Sequence, residues 1–135
     1  MEKFKLNING KEVKGLPGQT ILEVARENDI FIPTLCYDER TKIYGSCGIC
    51  MCEVEGNPKL CKACVTVIAP GMVIRTNTER VIESRKTNLE LLLSKNPKIR
   101  VVINCIALES VGEAMNCLKE LPLEQVDIAQ VQVAK

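Results

Sequence analysis

The chain has 135 residues, which is enough for one domain and a short appendage. Its 18 basic and 17 acidic side chains leave a net charge of +1, and no basic run indicates a nucleic-acid-binding surface. No apolar stretch approaches the roughly 20 residues of a membrane span, and the charged start at Met1–Lys5 is unlike a signal peptide. We therefore expect a cytoplasmic protein with no membrane span and no nucleic-acid partner.

Eight cysteines and the absence of histidine narrow the chemistry further. Thiols stay reduced in the cytosol, so a disulfide framework is not expected. Without histidine the chain has no His general base and no mixed Cys/His metal site. Any metal must therefore be held chiefly by thiolates, which favours an iron–sulfur cluster or zinc.

The first 30 residues predict a β-hairpin followed by a short helix. Residues 4–8 alternate between apolar and polar side chains, as a half-buried strand does. Asn9-Gly10 is a strong hairpin signal and predicts a return strand over 11–14. A capping box that begins at Thr20 predicts a helix to about Asn28.

The next segment predicts a cysteine-rich loop and then further strands. Residues 34–48 combine turn signals with closely spaced cysteines. Cys50–Val54 predicts a strand, a second cysteine pair leads into the apolar run Val65–Ile68, and Met72–Thr76 predicts another short strand. This order of hairpin, helix, loop and strands predicts an α+β fold.

The C-terminal part predicts a mainly helical extension. Apolar residues at helical spacing predict a helix over 79–95, whose mixed charges we expect to form a solvated face. A β-branched run predicts a strand over 99–103, and a weaker pattern predicts a helix over 109–121. We therefore divide the chain into a domain, 1–78, and an extension, 79–135.

The cysteines that can hold a metal are Cys36 and two Cys-x2-Cys pairs, Cys47 with Cys50 and Cys61 with Cys64. A [2Fe–2S] cluster needs four thiolates, two for each iron. Glycines beside the first pair permit positive φ, so that backbone N–H groups can turn toward the cluster and stabilise its reduced state. Zinc bound by four cysteines is the alternative, because zinc ribbons usually show two such pairs.

Several motifs in register carry a family resemblance. The order of these motifs along the chain resembles that in the N-terminal domain of the respiratory complex I 75 kDa-type subunit. The same domain also occurs in iron-only hydrogenases and NAD-linked formate dehydrogenases. The resemblance covers about residues 1–97. The segments that carry it are Cys36-Tyr37, Gly45-Ser46-Cys47-Gly48-Ile49-Cys50-Met51-Cys52-Glu53-Val54-Glu55-Gly56, Ala63-Cys64, Pro70-Gly71-Met72-Val73-Ile74-Arg75-Thr76, and the helix from Glu79-Arg80-Val81 to Ser94.

The resemblance implies a β-grasp, [2Fe–2S] ferredoxin-like domain with one cluster. Its register favours Cys64 over Cys61 as a ligand. Cys52 follows Cys50 by two residues in the predicted strand and is expected to be a small core side chain. The ligands that the resemblance implies are Cys36, Cys47, Cys50 and Cys64.

It also implies an electron-transfer subunit that relays single electrons within a multisubunit, NAD(P)-linked and flavin-containing oxidoreductase. Examples of such complexes are a hydrogenase, a formate dehydrogenase and a transhydrogenase. The partners would be a flavoprotein and other Fe–S subunits, and a short stand-alone subunit of this kind would not catalyse alone. A zinc-stabilised structural or interaction module is the alternative function.

The extension departs from the family pattern. In the family the helix is followed by one histidine and three cysteines that hold a [4Fe–4S] cluster. The corresponding positions here are Asn96, Arg100, Ile103 and Glu109, so that all four ligands are missing and no second cluster of this type is expected. Two further cysteines, Cys105 and Cys117, are expected to be buried thiols or to contact a partner's cofactor.

Overall fold

The N-terminal hairpin forms as the sequence predicts. Strand β1 covers Phe4–Ile8 and pairs antiparallel with β2, which covers Lys11–Gly15. Asn9 and Gly10 in the turn have φ values of +55° and +86°. Two positive φ angles match a two-residue hairpin turn whose twist suits the flanking strands, and this requirement explains the Asn-Gly sequence.

Helix α1 covers Ile21–Glu27, and its start confirms the predicted capping box. The Glu23 N–H donates to the Thr20 hydroxyl at 3.3 Å, and the Thr20 N–H donates to the Glu23 carboxylate at 2.7 Å. Each side chain satisfies a backbone donor that has no partner within the helix. The buried face of α1 is apolar and joins the core of the domain.

Three further strands complete one mixed sheet. They are β3, Met51–Val54; β4, Cys61–Lys62; and β5, Val73–Arg75. The strand order is β2-β1-β5-β3-β4, with β1 and β5 parallel and the other pairs antiparallel. One sheet with a helix between its hairpin and its later strands is a β-grasp arrangement, which confirms the α+β, ferredoxin-like expectation.

The apolar run Val65–Ile68 forms only one isolated bridge, between Val67 and Thr20. The Ile21 N–H donates to the Thr66 carbonyl, and the Ile68 N–H donates to the Gln19 carbonyl, both at 2.9 Å. Its backbone groups therefore pair with the entry to α1 instead of extending the sheet.

Helix α2 covers Glu79–Ser94 and packs against β3. Its start is capped by Thr78, whose hydroxyl accepts from the Val81 N–H at 3.3 Å. No helix in the described part of the chain is long and apolar enough to cross a membrane.

In this computed structural model the described residues are 2–94. The predicted strand over 99–103, the predicted helix over 109–121, and Cys105 and Cys117 lie outside them. The four positions that correspond to the missing [4Fe–4S] ligands lie outside them as well.

Candidate metal centre

The thiols of Cys36, Cys47 and Cys50 all lie near that of Cys64. The Cys64 thiol hydrogen bonds with that of Cys50 and interacts electrostatically with Cys36 and Cys47. Cys36 in turn accepts hydrogen bonds from groups of Cys47. The fold therefore brings together four thiols from a loop, the start of β3 and the segment after β4.

Backbone amides of the loop face the sulfur of Cys36. Hydrogen bonding from the backbone N–H of Cys47 lowers the pKa of the Cys36 thiol to about 7, against the opposing effect of burial. The backbone and side chain of Ser46 lower it further. An N–H group aimed at sulfur stabilises the thiolate, which is the form that binds iron.

Cys50 and Cys64 form the buried part of the site, with only 2% and 1% of their surface exposed. Burial, followed by the hydrogen bond with Cys50, raises the pKa of the Cys64 thiol to about 12. Without a metal this thiol therefore keeps its proton at neutral pH. A bound cation would displace that proton and neutralise the buried charge.

The two loop glycines have positive φ, and a Cβ atom at either position would lie very close to a neighbouring side chain. Gly45 has φ of +59°, and a Cβ atom there would lie 2.9 Å from a methyl carbon of Val65. Gly48 has φ of +67°, and its Cβ would lie 2.4 Å from the amide nitrogen of Asn88. The loop carbonyls are held from outside, since Lys62 donates to that of Gly45 at 2.6 Å.

Cys52 and Cys61 face each other across β3 and β4 as register partners. The Cys52 thiol has no exposed surface, and burial raises its pKa to about 12. It donates to the Cys61 carbonyl at 3.5 Å, and the Cys61 sulfur accepts from the Asn57 amide at 3.3 Å. The thiol of Cys61 therefore forms a hydrogen bond at the β3–β4 turn, whereas that of Cys64 contacts Cys50.

The donor set of the site consists of thiols with backbone N–H groups directed at one of them. A structural zinc site needs four ligands about 2.0–2.3 Å from one ion. A [2Fe–2S] cluster spreads its four thiolates over two irons, and the four thiols with their inward N–H groups fit that donor set.

The helix α2 contributes contacts that the sequence did not predict. The sequence predicted that the charged face of α2 is solvated. This prediction is wrong in part, because some of its side chains contact backbone carbonyls. Arg80 donates to the Pro58 carbonyl, Arg85 to that of Met51 and Asn88 to that of Gly48. An Asn in the middle of a helix is the one local indication, because that residue disfavours helix interiors unless its amide finds a partner.

The profile of a family described as "2Fe-2S iron-sulfur cluster binding domain" matches residues 1–79. The chain belongs to this family. Among similar curated proteins, this 2Fe-2S chain is 39% identical over 118 residues to "NADP-reducing hydrogenase subunit HndD" of Solidesulfovibrio fructosivorans, covering 84% of this chain and 19% of that protein. It is 40% identical over 94 residues to a component of the NADH-quinone oxidoreductase of Rhizobium meliloti (strain 1021), covering 70% of this chain and 11% of that protein.

A solved structure, "Crystal structure of NAD+-reducing [NiFe]-hydrogenase in the H2-reduced state", is similar to this 2Fe-2S chain with a TM-score of 0.67 and 26% identity. The match covers 84% of this chain and 49% of that one. The chain thus spans about half of the hydrogenase chain and less than a fifth of the curated relatives.

These similarities confirm the family resemblance and the [2Fe–2S] cofactor, and they do not favour the zinc alternative. The names of these relatives describe them as subunits of a hydrogenase and of an oxidoreductase. The assignment of individual cysteines as ligands stays a prediction.

Proposed function

We propose that the cluster is held by Cys36, Cys47, Cys50 and Cys64 and that the domain relays single electrons within a multisubunit oxidoreductase. The Cys64 thiol lies near those of Cys36, Cys47 and Cys50 in a 2Fe-2S domain, and this is the observation that supports the proposal. In the bound state the cluster would accept and return one electron at a time.

The surrounding residues prepare the site for that exchange. Backbone N–H groups at Ser46 and Cys47 face the Cys36 sulfur and would stabilise the added negative charge of the reduced cluster. Burial of Cys50 and Cys64 keeps water from the inner side.

The proposed partners are a flavoprotein, NAD(P)-linked, and other Fe–S subunits of a cytoplasmic complex. The relatives support this class, since they include components of an NADP-reducing hydrogenase and of NADH-quinone oxidoreductases. Exposed apolar side chains beside the cysteines support docking: Leu35 is 61% exposed next to Cys36, and Tyr44 is 74% exposed before Gly45. Alone, the domain would carry electrons without catalysing a reaction.

Single Cys→Ala variants of the whole chain, expressed and purified anaerobically, test the ligand set. Iron, acid-labile sulfide and the EPR signal of the reduced protein are measured for each. Variants at Cys36, Cys47, Cys50 and Cys64 should lose most of the cluster, while Cys52→Ala and Cys61→Ala should keep it.

Cys61→Ala and Cys64→Ala form the decisive pair, because both residues belong to the second Cys-x2-Cys motif. Loss of the cluster from Cys61→Ala with retention in Cys64→Ala would overturn the ligand assignment. One zinc per chain without iron or sulfide would support the zinc-stabilised module instead.

A further inference from the structure

Helix α2 reaches the cysteine loop through the side chain of Asn88. Its amide Nδ2 donates to the Gly48 carbonyl at 2.8 Å across a separation of 40 residues. Asn88 is partly buried, and the loop glycine that it contacts is buried. The hydrogen bond therefore lies at a packed contact, where water competes poorly for it.

This hydrogen bond sets the orientation of one peptide group. Because the Gly48–Ile49 peptide is planar and trans, its N–H points away from its carbonyl. The carbonyl side is held by Asn88, and the N–H side of Ile49 donates to the Cys47 sulfur at 3.5 Å. The two hydrogen bonds are thus opposite ends of the same peptide plane.

Gly48 makes this orientation accessible for two separate reasons. Its φ of +67° lies in the left-handed region that favours glycine. A Cβ atom at this position would also come within 2.4 Å of the Asn88 Nδ2 atom. A side chain at position 48 would therefore push the Asn88 amide away from the peptide.

Arg85 holds the next part of the same segment. It lies three residues before Asn88 and so on the same side of α2. Its guanidinium donates to the Met51 carbonyl at 2.7 Å and to the Asn77 side chain at 3.2 Å. Two carbonyls that bracket Cys50 are therefore anchored on one helix.

We propose that Asn88 is a positioning residue for the cluster, which acts by fixing the Gly48–Ile49 peptide so that its N–H points at the Cys47 sulfur. The inference rests on the proposed function, in which Cys47 is a ligand. Hydrogen bonds to ligand sulfur stabilise the reduced cluster more than the oxidised one, because reduction adds negative charge. Asn88 thereby raises the reduction potential without touching the cluster itself.

The test is a redox titration of anaerobically prepared full-length protein, followed by EPR, in Asn88→Leu and Asn88→Ala. Leucine has the same branching at Cγ but no donor, and alanine removes the donor without adding volume, so that together they separate the hydrogen bond from the packing. Both variants should show a midpoint potential more negative than that of the unmodified protein and faster loss of iron to a chelator. Thr87→Ala, an exposed neighbour on α2, is the matched control and should leave both quantities unchanged.

A merely structural role for Asn88 would lower the unfolding midpoint and leave the potential and the g values unchanged, and that result would overturn the inference. Asn88→Gln keeps an amide donor and should restore part of the potential. A shift in Asn88→Gln as large as that in Asn88→Leu would also count against it.

Cys47→Ala separates this inference from the proposal on which it rests. If Cys47→Ala loses the cluster while Asn88→Leu keeps the normal potential, the ligand assignment stands and the positioning role fails. If Cys47→Ala keeps a normal cluster, the ligand assignment itself fails, and the positioning role fails with it.

Discussion

At the scale of single residues, the cysteines of one site differ strongly in chemical character. N–H groups lower the pKa of the Cys36 thiol to about 7, while burial raises that of Cys64 to about 12. The outer thiol is ready to bind iron near neutral pH, and the inner one must exchange its proton for the metal. The two proposed ligands therefore differ, since Cys36 is partly exposed and Cys64 is buried.

We predict that Cys36 is the thiol most rapidly alkylated in metal-free protein near pH 7. Its reaction rate should rise through about pH 7, whereas an ordinary thiol titrates near about 8.5, because only the thiolate attacks. Peptide mass spectrometry after iodoacetamide pulses between pH 6 and about 9 measures the rates. Cys52, which is buried and has a raised pKa, should stay unmodified, and faster labelling of Cys61 than of Cys36 at pH 7 would contradict the prediction.

Gly45→Ala should destabilise the fold and reduce iron binding. Placing a non-glycine residue in the left-handed region costs roughly 1–2 kcal/mol, and the new Cβ would also press on Val65. Urea unfolding and iron content measure both effects. Gly56→Ala is the matched control, since it has φ of +82° but no atom within 4 Å of the added Cβ. Equal destabilisation in the two variants would show that the Val65 contact is unimportant.

At the scale of elements, α2 links the sheet to the metal-binding loop. Its capping residue Thr78 also donates to the Glu53 carboxylate of β3 at 3.0 Å. Further along the helix, Asn88 holds the Gly48 carbonyl of the loop and Arg85 holds the Met51 carbonyl at the start of β3. The position of the helix and the geometry of the loop are therefore coupled.

Thr78→Ala should lower the free energy of unfolding by about 0.5–2 kcal/mol, as the loss of a helix N-cap usually does. Because α2 also holds the loop, iron should leave the variant faster in the presence of a chelator. Thr87→Ala lies in the helix interior, where alanine favours helix, and it should not destabilise the protein. Urea unfolding and chelator kinetics of both variants decide between these outcomes.

At the scale of the whole molecule, the number of clusters per chain is the main prediction. The extension lacks the one histidine and three cysteines that would hold a [4Fe–4S] cluster in the family pattern. We therefore expect about two irons and two sulfides per full-length chain after anaerobic reconstitution, the content of one [2Fe–2S] cluster. Iron and sulfide analysis with quantified EPR measures this, and a stoichiometry near six irons would contradict it.

Much of the fold was predictable because its determinants are local. The hairpin follows from alternation and an Asn-Gly turn, and α1 from a capping box, each contained within a few residues. The ends of the strands were harder to predict from the sequence. Strand β4 contains only Cys61–Lys62, because the apolar run that follows it pairs with the residues that lead into α1. A short stretch of sequence does not show which distant segment it will pair with through backbone hydrogen bonds.

The sequence by itself indicated the class of chemistry and the family, because eight cysteines without histidine favour sites held chiefly by thiolates, and the motif order is specific. It also indicated the glycines that the loop requires. Only the tertiary structure decided that Cys64 contacts Cys50 while Cys61 lies against Asn57, and that α2 holds the loop through Asn88. These contacts join residues far apart in sequence, and such contacts depend on how the helix and sheet pack, which no short stretch of residues specifies.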